Sequence, residues 1–538
     1  MLGTMMDYPL TLVTILERAG RYFPKIEIVS QLPDKSLHRS NYGEIYRRAR
    51  ALAGSLRRAG MKRGDRVATL MWNHYAHLEA YLGVPVGGGV VHTLNLRLHA
   101  DDLTYIVNHA ADRFLIVDDV VLPVYEKIKD RVKIERVLVV PLTGKPVPAG
   151  YESYEDFLAQ ARGEFAYPPL EENEAAGMCY TSGTTGRPKG VLYSHRALVL
   201  HTFAVSLPDC FGISSWDTVL PMVPLFHVNA WGLPYAATMM GAKQVFPGQH
   251  LDAESLLDLF ERERVTYTAG VPTVWLAVLE ALEKHPSRWK LVPGFRMTVG
   301  GAATTENMLR RYDKLGMKMM HSWGMTEMTP AGTGCVLKPY MNDWPEERKY
   351  AVRAKQGLPC PFVELRAMAT DREIPWDGET IGEMQVRGPW IAANYYHLPE
   401  ESERWTADGW FRTGDVVTID DEGYIKIVDR TKDVIKSGGE WISSLDLENV
   451  LMGHPAVQEA AVIAVPHPKW LERPLACVVL KPGAKATADE LREFLEKKFA
   501  KWQVPDAFAF VEQIPRTSVG KFQKSKLRER FADWKWDT

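Results

Sequence analysis

Short apolar runs and helix-spaced segments alternate along this chain, and that alternation constrains its fold more than any other feature. Arg66–Trp72, Val90–Leu94, Phe114–Val117 and Val137–Val140 read as strands, with helices at His74–Leu82, Ala100–Ala110 and Val121–Lys129 between them. The pattern resumes with strand-like Thr218–Pro221, Tyr267–Ala269 and Met297–Val299 and a helix at Leu256–Arg262. Strands spaced by helices predict parallel or mixed sheets covered on both faces. At 538 residues the chain exceeds one core, since a domain takes about 100–200 residues.

Residues 371–415 change character. Pro375-Trp376-Asp377-Gly378, Arg387-Gly388-Pro389 and Asp408-Gly409 punctuate short strands and predict a small β-rich subdomain, placed at about 350–428. Tyr424–Val428 is followed by a charged break, Asp429-Arg430-Thr431-Lys432-Asp433. Beyond it, helical Leu445–Met452 and Ala488–Phe499 mix with strand-like Ala460–Val465, Leu475–Leu480 and Ala507–Val511, an α+β pattern large enough to fold alone. The expected fold class is therefore α/β: a large N-terminal multi-sheet domain, residues 1–428, and a small C-terminal α+β domain, residues 429–538.

A net charge of −2 argues against nucleic-acid binding and an electrostatic membrane anchor. No apolar run approaches the ~18 residues of a membrane-spanning helix, and the N-terminus lacks the pattern of a signal peptide. Five scattered cysteines without a CxxC fit reduced thiols in a cytoplasm. The histidines show no paired metal-ligand spacing.

Tyr180–Gly190 reads Tyr-Thr-Ser-Gly-Thr-Thr-Gly-Arg-Pro-Lys-Gly between two apolar runs, so it is a loop joining two strands. The hydroxyls of Thr181, Ser182, Thr184 and Thr185 and the backbone at Gly183 and Gly186 can turn donors around a polyphosphate, with Lys189 supplying charge. Pro188 stands where a Walker loop needs glycine, and no Ser or Thr follows Lys189. Gly300-Gly301-Ala302-Ala303 after a predicted strand lets a backbone approach a flat ligand. His321-Ser322-Trp323-Gly324-Met325-Thr326-Glu327 offers an aromatic, a hydroxyl and a carboxylate. Glu327 reads two ways, as a Mg²⁺ ligand or as half of a Thr/Glu helix cap. Gly409–Asp415 ends in a carboxylate suited to ribose hydroxyls or to turn formation, and Pro515–Lys521 carries a lysine on a glycine-flexed loop.

Together, in this order, these segments resemble the motif series of the adenylate-forming superfamily: acyl-CoA synthetases, luciferases and peptide-synthetase adenylation domains. The resemblance covers essentially the whole chain. It implies a mobile C-terminal lid and two half-reactions, carboxylate plus ATP giving acyl-AMP and pyrophosphate, then acyl transfer to a thiol, usually coenzyme A. Thr181 to Gly186 and Lys189 would hold the β/γ-phosphates, with Thr181 and Glu327 beside Mg²⁺. Gly301 and Trp323 would sandwich adenine, Ala302, Ser322, Gly324 and Met325 would join the ATP/AMP site, and Thr326 would lie near the α-phosphate; Trp323 stands where most of the family has Tyr. Asp415 and Arg430 would take the ribose, and Lys521 would stabilise charge developing at the α-phosphate. Lys432, Lys436 and Trp441 resemble nucleotide-contacting lid residues, Asp429 the hinge, and Ser437, Gly438, Gly439 and Glu440 the wall of a pantetheine tunnel.

The acyl pocket would form around His227, Val228, Trp231 and Gly301. His227 occupies the place where amino-acid-activating relatives carry Asp, so an ammonium there would lack a partner. Phe226–Ala237 and Ser437–Leu447 look most like bacterial medium- and long-chain fatty acyl-CoA synthetases, which implies a role in fatty acid metabolism. Met1–Phe23 reads as the interface arm of a homodimer or as a surface helix. Three other readings stay open: a ligase for short alkylthio or aryl acids, an acyl-AMP ligase serving a carrier protein, and a non-catalytic binding module. The last is disfavoured by the presence of Lys189, Glu327, Asp415, Arg430 and Lys521 together.

Overall fold

The computed structural model describes residues 1, 3–161, 164–181, 187–369, 372–437, 440–516 and 522–536. These residues form two compact units. The first comprises residues 1–181, 187–364 and 387–405, and the second residues 365–386 and the chain from 406 onward. The expected boundary at Asp429 falls inside the second unit.

The first unit holds two large sheets. One runs in the order Glu152–Ser153, Arg136–Val140, Phe114–Asp118, Arg66–Leu70, Val90–Thr93, Ala175–Tyr180, Gly190–Ser194. All neighbours are parallel except the last pair. The interior strand Phe114–Asp118 is buried at every position, as a parallel strand covered on both faces must be. Helix Ala100–Ala110 covers it with Leu103, Ile106, Val107 and Ala110, the spacing of one helical face, and joins a core with Leu115, Val117 and Val139.

The second large sheet runs Leu358–Pro359, Ala331–Gly334, Lys318–Gly324, Arg296–Val299, Tyr267–Gly270, Thr218–Pro221, Lys243–Phe246, Glu27–Gln31, Leu37–Asn41. Its helix Ala253–Arg262 starts where the Asp252 side chain accepts the Ser255 N–H, and Leu256, Leu257, Leu259 and Phe260 pack around Trp275.

The second unit holds a four-stranded sheet, Glu364–Met368, Gly382–Arg387, Phe411–Ile419 and Ile425–Arg430. It also holds a sheet built on the long antiparallel pair Val457–His467 and Leu471–Leu480. Helices Ser444–Met452 and Ala488–Glu496 pack Leu447, Leu451, Leu491 and Leu495 on one face of that pair. Helix Lys524–Arg530 packs Leu527 on the other. All five cysteines are buried free thiols, and no helix among the described residues is long and apolar enough to cross a membrane.

Candidate active site

The strands Ala175–Tyr180 and Gly190–Ser194 pair antiparallel with Tyr180 opposite Gly190. Thr181 extends that pairing by one step: its N–H donates to the Lys189 carbonyl at 2.9 Å, and its hydroxyl oxygen accepts the Lys189 N–H at 3.0 Å. The neck of the glycine/hydroxyl loop is thus clamped at both chains. Ser182, Gly183, Thr184, Thr185 and Gly186 lie outside the described residues, as do Gly438, Gly439 and Lys521.

Lys189 leaves this neck to meet Glu401, Nζ to Oε2 at 2.5 Å, and its ammonium lies 5.2 Å from the centre of the Tyr395 ring. Tyr395 in turn donates its hydroxyl to Glu327 Oε1 at 2.5 Å. Burial and the Glu327 carboxylate both push the Tyr395 hydroxyl above its ordinary range, so it remains a donor. Glu327 is 5% exposed, and its own carbonyl accepts the Ala392 N–H at 2.8 Å, which holds residues 392–395 beside it. Lysine and carboxylate, both expected at the site, are therefore brought together by Tyr395. Neither Tyr395 nor Glu401 carries a motif signal, because each acts through a side chain that only the fold brings near.

Trp323 and Ser322 sit near the end of the strand Lys318–Gly324. The Ser322 hydroxyl donates to the Thr333 carbonyl at 2.6 Å, and the Trp323 indole lies over Gly332, where a Cβ would come within 2.6 Å of it. Gly324 and Met325 turn the chain, the Met325 N–H donating to the Pro330 carbonyl at 3.2 Å. Thr326 opens a short turn whose carbonyl accepts the Tyr193 hydroxyl at 2.8 Å. Glu327 lies inside that 3₁₀ turn, whose N-cap is Met325 with no side-chain capping bond, so Thr326 and Glu327 do not form a helix cap.

Gly301 and Ala302 are exposed after the strand Arg296–Val299, with Gly301 at φ +79°. The preceding Gly300 is closed in: a Cβ there would lie 2.9 Å from the Ser322 carbonyl oxygen and 3.1 Å from the Trp231 ring. The segment expected to form the acid pocket thus meets the small-residue turn at Trp231 and Gly300. Trp231 reaches this position by unusual backbone geometry. Val228, Asn229, Ala230 and Trp231 have φ of +41°, +60°, +46° and +58°, and Gly232 follows at +78°. Each non-glycine residue held left-handed costs ~1–2 kcal/mol, a conformation no local pattern announces. All four are buried, which offsets that cost, and His227 before them is half-buried. Gly232 admits the His201 ring, 2.5 Å from where a Cβ would be.

In the second unit, Asp415 and Arg430 are partners on adjacent strands, Arg430 Nε to Asp415 Oδ1 at 2.5 Å, with Asp415 1% exposed. Asp429 is 4% exposed and burial pushes its carboxyl up; it accepts the Ser444 N–H at 2.6 Å and the Arg430 N–H at 2.7 Å. Lys432 is on the exposed turn after it. Lys436 pairs across the strands with Trp441, and Ser437 with Glu440. The Ser437 hydroxyl accepts Arg473 Nη1 at 3.1 Å.

The model of the AMP-binding enzyme family matches residues 16–396, and that of the AMP-binding enzyme C-terminal domain residues 446–521. A long-chain-fatty-acid–CoA ligase of Thermus thermophilus is 51% identical over 99% of this chain and 97% of its own. A 3-methylmercaptopropionyl-CoA ligase of Ruegeria lacuscaerulensis is 43% identical over 99% of both chains. The crystal structure of an anthranilate CoA ligase in complex with anthranoyl-AMP superposes with a TM-score of 0.84 at 26% identity, covering 97% of this chain and 98% of that one. The chain belongs to the AMP-binding family of adenylate-forming enzymes and is an AMP-forming acyl-CoA synthetase.

Proposed function

We propose that the enzyme activates a medium- or long-chain aliphatic carboxylate with ATP and passes the acyl group to coenzyme A. In the first step a carboxylate oxygen bonds to the α-phosphorus of ATP, the bond to the diphosphate breaks, and pyrophosphate leaves. In the second the thiol sulfur, its proton lost, bonds to the acyl carbon, and AMP leaves with the former carboxylate oxygen. The observation that carries this reading is the contact of Trp231 with Gly300, which adjoins an apolar acid segment to a nucleotide turn.

Lys189 and the loop Thr181–Gly186 bind the β/γ-phosphates, Trp323 and Gly301 flank adenine, and Asp415 with Arg430 takes the ribose. Ala302, Ser322, Gly324, Met325 and Thr326 complete the AMP site. Lys521 meets the charge that grows at the α-phosphate. Lys432, Lys436 and Trp441 contact the nucleotide, Ser437 to Glu440 line the thiol's path, and residues 429–538 form a lid that turns about Asp429 between the steps.

The donors near Lys189 suit Mg²⁺. Glu327 offers a buried carboxylate, Thr181 a hydroxyl, and no cluster of three acidic, His or Cys side chains competes among the described residues. Mg²⁺ keeps waters and takes phosphate oxygens, so one carboxylate is enough, and the ion would neutralise the polyphosphate charge. Five buried free thiols support a cytoplasmic setting, and the exposed Met1, Met5, Met6 and Tyr8 support a homodimer through the N-terminal segment.

Pyrophosphate release and thioester formation across unbranched acids from acetate to stearate, with benzoate and methylthiopropionate added, test the reading. A second reading, a short alkylthio acid as substrate, is favoured by the 43% identical relative named for 3-methylmercaptopropionate. Activity confined to methylthiopropionate would replace the first reading with the second.

A further inference from the structure

Lys524 is a lysine buried inside the second unit, with 11% of its side chain exposed. Its ammonium lies 2.6 Å from Glu448 Oε1 and donates to the Ser444 hydroxyl at 2.6 Å. That hydroxyl donates to Asp429 Oδ2 at 2.5 Å, and the Ser444 N–H donates to the same oxygen at 2.6 Å. Glu448 is also committed to the backbone, since Oε1 accepts the Val462 N–H at 2.7 Å. Burial works against the Lys524 charge, but the carboxylates of Glu448, Asp429 and Asp433 outweigh it and hold the ammonium above its ordinary range.

The chain around Lys524 is tied down in the same direction. One helical turn later, Arg528 Nη1 meets Asp433 Oδ1 at 2.7 Å. Just before Lys524, the Gln523 N–H donates to the Pro515 carbonyl at 2.7 Å, and Arg516 bridges Phe522. Both ionic ties run from the helix Lys524–Arg530 to residues 429–433 or to the helix Ser444–Met452, whose first N–H Asp429 accepts. A charge that merely balanced Glu448 would not need the Ser444 hydroxyl, nor a second tie four residues on.

We infer that Lys524 is a positioning residue that fastens its helix, through Ser444, to the Asp429 carboxylate, so that the segment following residue 429 and the segment following residue 521 turn as one piece. The inference rests on the two-step reaction proposed above. Lys521 precedes Lys524 by three positions in the chain, so loosening this fastening removes the reference that aims Lys521 at the α-phosphate. The thiol step, which does not use Lys521, is left close to normal.

Lys524→Met alone leaves Glu448 buried without its counter-charge and tests folding as much as function. The informative variant is therefore Lys524→Met with Glu448→Gln, which removes both charges and the tie to Ser444. It is measured beside Lys524→Arg, with melting temperature, pyrophosphate release and thioester formation from supplied acyl-AMP. At a melting temperature near wild type, pyrophosphate release falls about 10- to 100-fold, the scale of a small misplacement at a reacting centre, while thioester formation stays near wild type. Lys524→Arg, which keeps the charge, recovers most of the loss. Both half-reactions unchanged, or falling together, overturn the inference. If the double variant does not fold, Ser444→Ala decides, since it removes the hydroxyl that bridges Lys524 to Asp429: a selective loss of pyrophosphate release relative to thioester formation supports the inference, and both steps unchanged or falling together overturn it. A wild-type enzyme that releases no pyrophosphate with any acid refutes the reaction; a working wild type with an unaffected variant refutes only the role of Lys524.

Discussion

Tyr395 donates its hydroxyl to Glu327 at 2.5 Å, so the carboxylate proposed for Mg²⁺ is held by a residue outside every motif. A charge-assisted bond of this kind is worth about 1.5–3 kcal/mol, enough to fix the carboxylate's orientation. Glu327→Gln is expected to raise the Mg²⁺ concentration needed for half-maximal pyrophosphate release, because an amide is a poorer ligand for a hard dication. Tyr395→Phe should shift it in the same direction but less, since the charge survives and only its aim is lost. An unchanged midpoint and maximal rate in Glu327→Gln would make Glu327 structural.

If Lys189 takes the ATP phosphates as proposed, Glu401 competes with them for its ammonium. The pair meets at 2.5 Å with 20% and 29% of the two side chains exposed, so solvent discounts its strength to about 0.5–1 kcal/mol. Glu401→Gln should therefore lower the KM for ATP by a few-fold and leave kcat in place. A KM that rises instead would mean Glu401 positions Lys189 for the nucleotide.

The α/β architecture was legible because its signals are local. The run Phe114–Val117 is apolar at every position, and the spacing of Leu103, Ile106, Val107 and Ala110 announces one helical face. Candidate site segments were marked in the sequence where a motif is contiguous, as at Thr181–Lys189 or Ser322–Glu327. The site was hidden where function depends on partners brought in by topology, as with Tyr395 and Glu401. The left-handed run Val228–Trp231 was hidden for another reason: only its glycine, Gly232, has an intrinsic preference for that geometry, and tertiary burial imposes the rest.

His201 accepts the Ala331 N–H through Nε2 at 3.1 Å, which requires a neutral ring, and burial lowers its pKa to about 3. Unfolded, the ring titrates near ~6.5. Its folded value is depressed, so the unfolded chain binds the extra proton, and this contribution to stability is present above about 6.5 and lost as pH falls below it. Between pH ~7.5 and ~5.5 the loss is about 1.4 kcal/mol for one such ring. His201→Gln, which can still accept a hydrogen bond, should be less stable at neutral pH but should lose less on acidification. Denaturant midpoints at the two pH values, with parallel curves for both proteins, would count against the neutral-ring account.

Lys521→Ala is expected to abolish acyl-AMP formation while largely sparing thioester formation from supplied acyl-AMP. Losing one preorganised charge at a developing transition state typically costs about 10²–10³ in rate. The two half-reactions are measured separately, by pyrophosphate release and by thioester yield. Equal loss in both would contradict a lid that presents different faces in the two steps.

Trp231 stands against Gly300 at the end of a left-handed turn, beside the turn proposed to bind the nucleotide. An indole buries about 200 Å² and cannot leave a channel without opening it. If it closes the acyl channel until ATP is bound, Trp231→Ala uncouples acid binding from ATP binding and changes the chain-length profile. Long acids should lose least, since each further methylene still brings about 0.8 kcal/mol of burial. Short acids should lose most, having few contacts beyond the carboxylate. A tryptophan that only fills the core behaves otherwise: removing it lowers the melting temperature and reduces activity on all acids alike. The backbone sharpens the contrast, because without the indole to bury, the left-handed residues Val228 to Ala230 lose part of what offsets their strain. Some fall in melting temperature is therefore expected in either case, and the deciding quantity is the ratio of kcat/KM between long and short acids. A ratio that rises in the variant supports the channel, and a flat ratio with a lowered melting temperature rules it out.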